Sequence, residues 1–192
     1  GAIFVVAAGL REIALQEVAR VRQLRALIGT GVTAQPAISI AGGAGSPFDA
    51  IASRDAFPST TPFDPYASLE NHLLGSSGLS WLGTSAFRGV SFRLTSATNR
   101  DTVLGLLAGK AHHDAFLRLA LWRAGLVNTA LYDAEDKMVL ARNKLNGGNG
   151  TNSYANYENG VGSASGTNIV ILDIRNSNSG ALLARTPDLV LN

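Results

Sequence analysis

Two charged pairs interrupt apolar helical stripes, and they are the residues best placed to do chemistry. Glu17 is followed three positions later by Arg20, and Lys110 is followed three positions later by His113. Residues at i and i+3 share one face of a helix, with Cβ atoms about 5 to 6 Å apart. In helical bundles, a glutamate with a histidine at i+3 on two helices, joined by glutamates from the others, builds a di-iron or di-manganese site. The spacing of both pairs matches that pattern.

The residue types differ from those of a metal site. Arg20 stands where the pattern has histidine and Lys110 stands where it has glutamate, and both cations repel a divalent metal. A buried charge must be paired, so the sequence predicts that Glu17 and Lys110 form an ion pair, with Arg20 and His113 at its edge. Two other interpretations stay open. Glu17 and His113 could still hold a metal, or Lys110 could serve as a catalytic amine.

Other motifs carry less information. His112 points about 100° away from His113 on a helix and is expected at the surface or the edge. The glycines at 42–45 predict a turn, because no strand and helix flank them as in a phosphate loop. Asn149 begins an Asn-Gly-Thr sequon, which would be glycosylated only if the chain passed through a secretory pathway.

Four helices are predicted to position these residues, each from a recurrence of apolar residues at steps of three or four. They are Phe4–Ile28, Tyr66–Phe92, Thr98–Ala124 with Asn99 as its cap, and Ala130–Leu145. Glycines or an asparagine follow the first, third and fourth of them, as is typical of helix ends.

Two stretches do not follow the helical period. Residues 30–65 hold five of the six prolines and predict a long ordered loop, which we expect to pack on the helices. Its packing residues would be Ile38, Ile40, Phe48, Ile51, Phe57 and Phe63. After the last helix, Gly, Asn and Ser dominate, and then Ile169–Ile174 predicts a small β-hairpin with Ala181–Ala184.

Composition excludes several classes of protein. Of the 192 residues, 46% are hydrophobic and 16% are charged, which is too apolar for intrinsic disorder. No run reaches the about 18 to 20 apolar residues of a membrane span. The net charge is only +2, with no basic face for nucleic acid, and no cysteine is present to form disulfides or thiolate metal sites. The few charges predict a surface for another protein or a second copy of the chain.

Five blocks of the sequence are similar to one known family, in the same order and with compatible spacing. They are Gln16–Arg20, Pro62–Tyr66 with Asn71 and Leu73-Leu74, Gly105–Ala108 with Leu121–Arg123, Leu140–Leu145, and Ala184–Pro187. The chain thereby resembles the desiccation-related proteins of plants and algae, in the ferritin-like class. The resemblance implies a ferritin-like helical bundle, made as a secretory or apoplastic precursor and associated with stress response. It also implies that Arg20, Ser80 and Lys110 replace a metal-binding His, Glu and Glu, while Glu17 is kept.

These observations predict a mainly α protein. Residues 1–146 would form a ferritin-like helical bundle whose first helix is missing or truncated, and residues 147–192 a Gly/Asn-rich extension with a short hairpin packed on the same domain. We expect an extracellular or secretory-pathway protein, without metal, cofactor or catalytic residues, that has a structural, protective or protein-interaction role and self-associates or binds a protein. The alternative is a ferritin-like di-metal oxidase, or a repurposed enzyme that uses Lys110 and His113.

Overall fold

The chain folds into helices wherever the helical period is strong. The computed structural model describes residues 2–52, 62–145, 158–162 and 182–186. Its α-helices over those ranges are α1 (Ala2–Ile28), α2 (Pro47–Ala52), α3 (Leu69–Ser91), α4 (Ala97–Gly125) and α5 (Ala130–Leu145). The four long ones confirm the predicted helices, and the mainly α class is confirmed with them.

Two compact units make up the chain, Gly1–Ser39 and Ile40–Asn192. The first unit consists of α1, a single 3₁₀ turn over Gly29–Gly31, and the residues that follow it. α1 ends at Ile28 because Gly29 has a φ of 65°, a left-handed conformation that side-chain-bearing residues rarely adopt.

The core of the second unit lies between α3, α4 and α5. Its apolar part is formed by buried side chains from all three helices: Leu73, Leu74, Trp81, Leu107, Leu117, Leu121, Met138 and Val139. α3 packs along α4 through a face of small residues, among which Ser77, Ser80, Thr84 and Ser85 are buried. Small side chains let the two helices approach closely, and their hydroxyl groups make the interior of this unit partly polar.

Serine side chains begin the two longest helices of this unit. Ser68 Oγ accepts a hydrogen bond from the Asn71 amide at 3.1 Å at the start of α3. Ser96 Oγ accepts from the Asn99 amide at 3.3 Å at the start of α4. The predicted cap at Asn99 is therefore wrong. A cap needs an extended backbone, which Ser96 has (φ −69°, ψ 121°), whereas Asn99 already lies in the first helical turn.

The loop before α3 is ordered by hydrogen bonds to Asp49 and contains the short helix α2, which the sequence did not predict. Asp49 carboxylate oxygens accept from the amides of Gly45 at 3.0 Å and Phe63 at 2.9 Å. Phe63 is 2% exposed, as expected for a residue that packs on the helices. The same expectation is wrong for Ile38 and Ile40, which are exposed. Hydrogen bonds to the Asp49 carboxylate and the burial of Phe63 together hold this part of the loop.

Three predictions concern residues that the structure describes only in part or not at all. The β-hairpin is not supported: 182–184 form no strand, no strand occurs anywhere in the described ranges, and Ile169–Ile174 lies outside them. Phe57 and the sequon at Asn149 also lie outside those ranges. Among the described helices, none is long and apolar enough to cross a membrane.

Candidate functional site

The four predicted site residues occupy two helices. Glu17 and Arg20 form an ion pair one turn apart on α1, with 2.5 Å between Oε1 and Nη1. Lys110 and His113 lie on α4 in the second unit, and both are buried. The i, i+3 pairing on α1 is thus present, while an ion pair between Glu17 and Lys110 stays a prediction. His112 is at the surface, as its position on the helix predicts.

Lys110 is held against the small face of α3. Its Nζ donates a hydrogen bond to Ser80 Oγ at 3.4 Å in the interior. The aliphatic stem lies on Gly83, where a Cβ would come within 2.8 Å of Lys110 Cε. A larger residue at position 83 would therefore displace the ammonium group from Ser80.

One turn further along α4, Asp114 is buried beside the hydroxyl groups of Ser80 and Thr84. It is 5% exposed, and neither oxygen has a hydrogen-bond partner among the described residues. Burial raises the pKa of Asp114, while the hydroxyls of Ser80 and Thr84 and the charges of Lys110 and Arg118 act in the opposite direction. The hydroxyl groups of Ser80 and Thr84 thus contribute most to stabilising the negative charge of Asp114, ahead of Lys110 and Arg118.

Arg118, one turn after Asp114, connects α4 to the chain beyond α5. Its Nη1 donates to the Asn159 carbonyl and its Nη2 to the Gly160 carbonyl, each at 3.0 Å. The guanidinium thereby fixes residues 158–162 against the bundle.

Glu158 joins two buried arginines. Its Oε2 accepts from Arg142 Nε at 2.8 Å, and its Oε1 accepts from Arg185 Nη2. Burial alone would raise the pKa of Glu158, but Arg142 and Arg185 together lower it below its usual value. Burial likewise opposes the charge of Arg142, yet Glu158 and Glu135 raise the pKa of Arg142 above its usual value. All three charges are therefore kept in the interior.

Arg185 also ties the last described segment to α3. Its Nη1 donates to Ser85 Oγ at 2.7 Å, and its backbone amide donates to the Ser85 carbonyl at 2.9 Å. A Cβ at Gly89 would overlap the carbonyl of Arg185. Residues 182–186 therefore cross α3 at a point that only glycine leaves open.

Glu135 on α5 completes what we call the buried charge network, which consists of Lys110, Asp114, Arg118, Glu135, Arg142, Glu158 and Arg185. Glu135 Oε2 accepts from the Val161 amide at 3.1 Å, and Arg142 Nη2 lies 3.9 Å from its Oε1. Burial raises the pKa of Glu135 to about 7, because Arg142 and Arg118 offset only part of the desolvation and Asp136 and Glu158 add to it.

The residues do not fit a di-metal centre. A divalent metal needs carboxylate or imidazole lone pairs, whereas Lys110 and Arg118 bring positive charge to Asp114. Within the described ranges, no three His, Asp or Glu side chains are grouped so as to hold a metal ion. The side chains of the buried charge network are therefore suited to forming ion pairs with one another.

Sequence reasoning missed most of this network, although two signals for it were present. Lys110, Asp114 and Arg118 recur at i+4 on the face that also carries Leu117 and Leu121. On α5, Glu135 and Arg142 fall in the same stripe as Leu131 and Met138. Glu158 and Arg185 lie outside any helix and offer no periodicity.

Comparisons with known proteins place the chain among helical bundles. A family model described as a ferritin-like domain matches residues 4–123. The desiccation-related protein PCC13-62 of Craterostigma plantagineum is 34% identical over 89 residues, which cover 44% of this chain and 28% of that protein. The chain therefore spans less than a third of that relative. No solved structure matches significantly.

Proposed function

Since the chain belongs to the ferritin-like family of desiccation-related proteins, as its sequence blocks indicated, we propose that it is a non-catalytic, metal-free member with a structural, protective or protein-interaction role. One observation carries this proposal. Lys110 Nζ donates a hydrogen bond to Ser80 Oγ at 3.4 Å. Lys110 and Ser80 occupy two positions at which the family resemblance implies glutamate ligands.

The proposal has a simple electrostatic reason. An ammonium group has no lone pair to give a metal, and its charge repels a divalent cation. Arg118 adds a second positive charge beside Asp114. Together these side chains put hydrogen-bond donors and ion pairs at the centre of the bundle, where they stabilise a fold without supplying redox chemistry.

A partner surface and a secretory location belong to the same proposal. The turn between α4 and α5 exposes Leu126 and Val127, of which Val127 is 92% exposed, and this supports contact with a protein or a second copy of the chain. Secretion rests on the family resemblance and on the sequon at Asn149. Light scattering that finds only monomer at high concentration would overturn self-association.

Metal analysis of the purified native protein tests the central claim. We expect far less than one iron, manganese or zinc ion per chain, and no oxidation of added ferrous iron beyond the buffer rate. The matched variant carries both Ser80→Glu and Lys110→Glu and should bind more ferrous iron than the parent protein, because it restores two carboxylates.

Two results would replace the proposal with an enzymatic function. Stoichiometric metal that disappears in Glu17→Ala or His113→Ala would favour a di-metal oxidase. Reductive trapping of an aldehyde on Lys110, absent in Lys110→Arg, would favour amine catalysis.

A further inference from the structure

Residues 158–162 lie across α4 and α5 and are held by side chains from both helices. Arg118 on α4 binds the carbonyls of Asn159 and Gly160. On α5, Asn143 Nδ2 donates to the Glu158 carbonyl at 3.4 Å, and Arg142 binds the Glu158 carboxylate. We call these five residues the strap.

Glu135 lies directly beneath the strap and is only partly satisfied. It is 1% exposed; Oε2 accepts from the Val161 amide, while Oε1 has no hydrogen-bond partner among the described residues. Arg142 Nη2 lies 3.9 Å from Oε1, while Arg142 donates its Nε to Glu158. A negative charge on Glu135 is therefore poorly stabilised while the strap is in place.

Glycine at position 160 lets the backbone of the strap lie against two acids of α5. A Cβ there would overlap the carboxylate of Asp136 and lie 2.8 Å from Glu135 Oε2. The backbone of the strap thus rests on two adjacent acids. Asp136 is partly exposed, whereas Glu135 is buried, so hydrating Glu135 requires the strap to move.

We propose that the strap is a pH-responsive closure, in which protonated Glu135 favours the closed position and ionised Glu135 favours opening toward water. The charged groups that face Glu135 are Arg142 and Asp136 from α5, Arg118 from α4, and Glu158 from the strap. The two cations are already bonded to strap atoms, so opening frees them as well as the acid.

The direction of the pH effect follows from proton linkage. Burial raises the pKa of Glu135 from 4.5 to about 7 in the closed state, and hydration on opening returns it toward 4.5. Between these values the closed state holds a proton that the open state releases, so opening becomes more favourable as the pH rises. The equilibrium constant for opening should increase about tenfold per pH unit over that window and level off above it.

The ion pair at the start of the strap does not titrate in the same window. The pKa of Glu158 is lowered by its two arginines, so Glu158 stays ionised wherever Glu135 loses its proton. The strap inference is independent of the proposed metal-free function, because it uses none of the family's metal positions.

Amide hydrogen exchange on the full chain tests this inference. Protection of the Val161 amide is measured by NMR from about pH 5 to about pH 8 and corrected for the intrinsic pH dependence of exchange. In the parent protein, protection should fall about tenfold per pH unit up to about pH 7 and then remain constant. Glu135→Gln keeps a carbonyl acceptor for Val161 without the titrating proton, so its protection should lose this slope. Asp101→Asn, at an exposed acid of α4, is the control and should keep it.

Three outcomes would overturn the inference. The first is protection of Val161 that does not change with pH in the parent protein. The second is a slope that survives in Glu135→Gln, since it would assign the titration to another group such as Asp136, whose pKa burial also raises and whose carboxylate contacts Gly160. The third is exchange of Val161 at the rate of the slowest helix amides at every pH, because the strap would then open only when the whole protein unfolds.

Discussion

Replacing Glu158 with glutamine should destabilise the fold strongly, because Glu158 neutralises two buried arginines at once. Its carboxylate binds Arg142 Nε at 2.8 Å and also binds Arg185, and both arginines lie in the interior. Glutamine has nearly the same shape, but it has no charge and only one acceptor oxygen. The variant therefore leaves two buried positive charges without their main partner.

The size of the loss in stability depends on which partners Arg142 and Arg185 retain in the Glu158→Gln variant. Removing one partner of a buried ion pair costs about 3 to 5 kcal/mol. Arg142 still has Glu135, with 3.9 Å between Nη2 and Oε1, and Arg185 still donates to Ser85. The lower end, about 3 kcal/mol, is thus expected, which for a chain of this length lowers the melting temperature by about 6 to 12 °C.

Urea unfolding followed by circular dichroism near pH 8, where Glu135 is ionised, gives the free energy of unfolding for both proteins. Glu12→Gln is the control, because Glu12 is an exposed acid on α1 and its loss should change stability by less than about 0.5 kcal/mol. The midpoint should shift in Glu158→Gln without a large change in the slope with urea.

The pH dependence of the difference is a second, independent readout. The folded-state pKa of Glu158 is lowered, so its stabilisation is fully present above the unfolded pKa and is lost as the pH falls through the folded value. The two proteins should therefore converge in stability on acidification well below pH 4.5, the usual value for a glutamate. A loss under about 1 kcal/mol near neutral pH, or a difference that persists in acid, would refute the electrostatic reasoning.

Three further changes have defined outcomes. Ser96→Ala should lower the free energy of unfolding by about 1 kcal/mol in a urea titration, since it removes the cap of α4, and no loss would contradict that capping role. Gly89→Ala should lower the free energy of unfolding by about 1 to 3 kcal/mol, because its Cβ would meet the Arg185 carbonyl. Gly105→Ala is the control: it has open space around it and should raise the free energy of unfolding by about 0.5 to 1 kcal/mol. Equal effects of the two substitutions would contradict the crossing of residues 182–186 over α3. Glu135→Gln should be more stable than the parent protein by up to about 3 kcal/mol at pH 8 and little changed in stability near pH 4, which calorimetry can measure. The reason is that the pKa of Glu135 rises from 4.5 in the unfolded chain to about 7 in the folded chain, and each unit of pKa difference is worth about 1.4 kcal/mol. A destabilised Gln variant at pH 8 would contradict this sign.

The buried charge network gives a physical reason for some of the residues that carry the family resemblance. The block Leu140–Leu145 contains Arg142, and the block Ala184–Pro187 contains Arg185. In the folded chain both arginines bind the same carboxylate, that of Glu158. The two blocks therefore meet at one ion-pair cluster although they lie far apart in the sequence.

The sequence by itself determined the helices and the buried faces of α4 and α5, whereas Val21 and Ile28 of the stripe predicted on α1 are exposed. Helical periodicity is a local property, so α1, α3, α4 and α5 could be located to within a few residues, and Lys110 and His113 were correctly placed in the interior. Periodicity locates a helix only to within a few residues, so it could not identify the single residue that caps α4. The hairpin prediction failed on 182–184, where buried contacts of Arg185 with α3 hold the backbone without a strand.

Only the tertiary structure decided which charges become partners. Periodicity identifies a charge that must be buried, but the group that neutralises it can come from any part of the chain. Arg185 and Ser85 are 100 positions apart, and Arg118 and Gly160 are 42 positions apart. Such contacts depend on how the helices and the last segments pack in three dimensions, which is why the interior of the second unit is defined by side chains that no local pattern could pair.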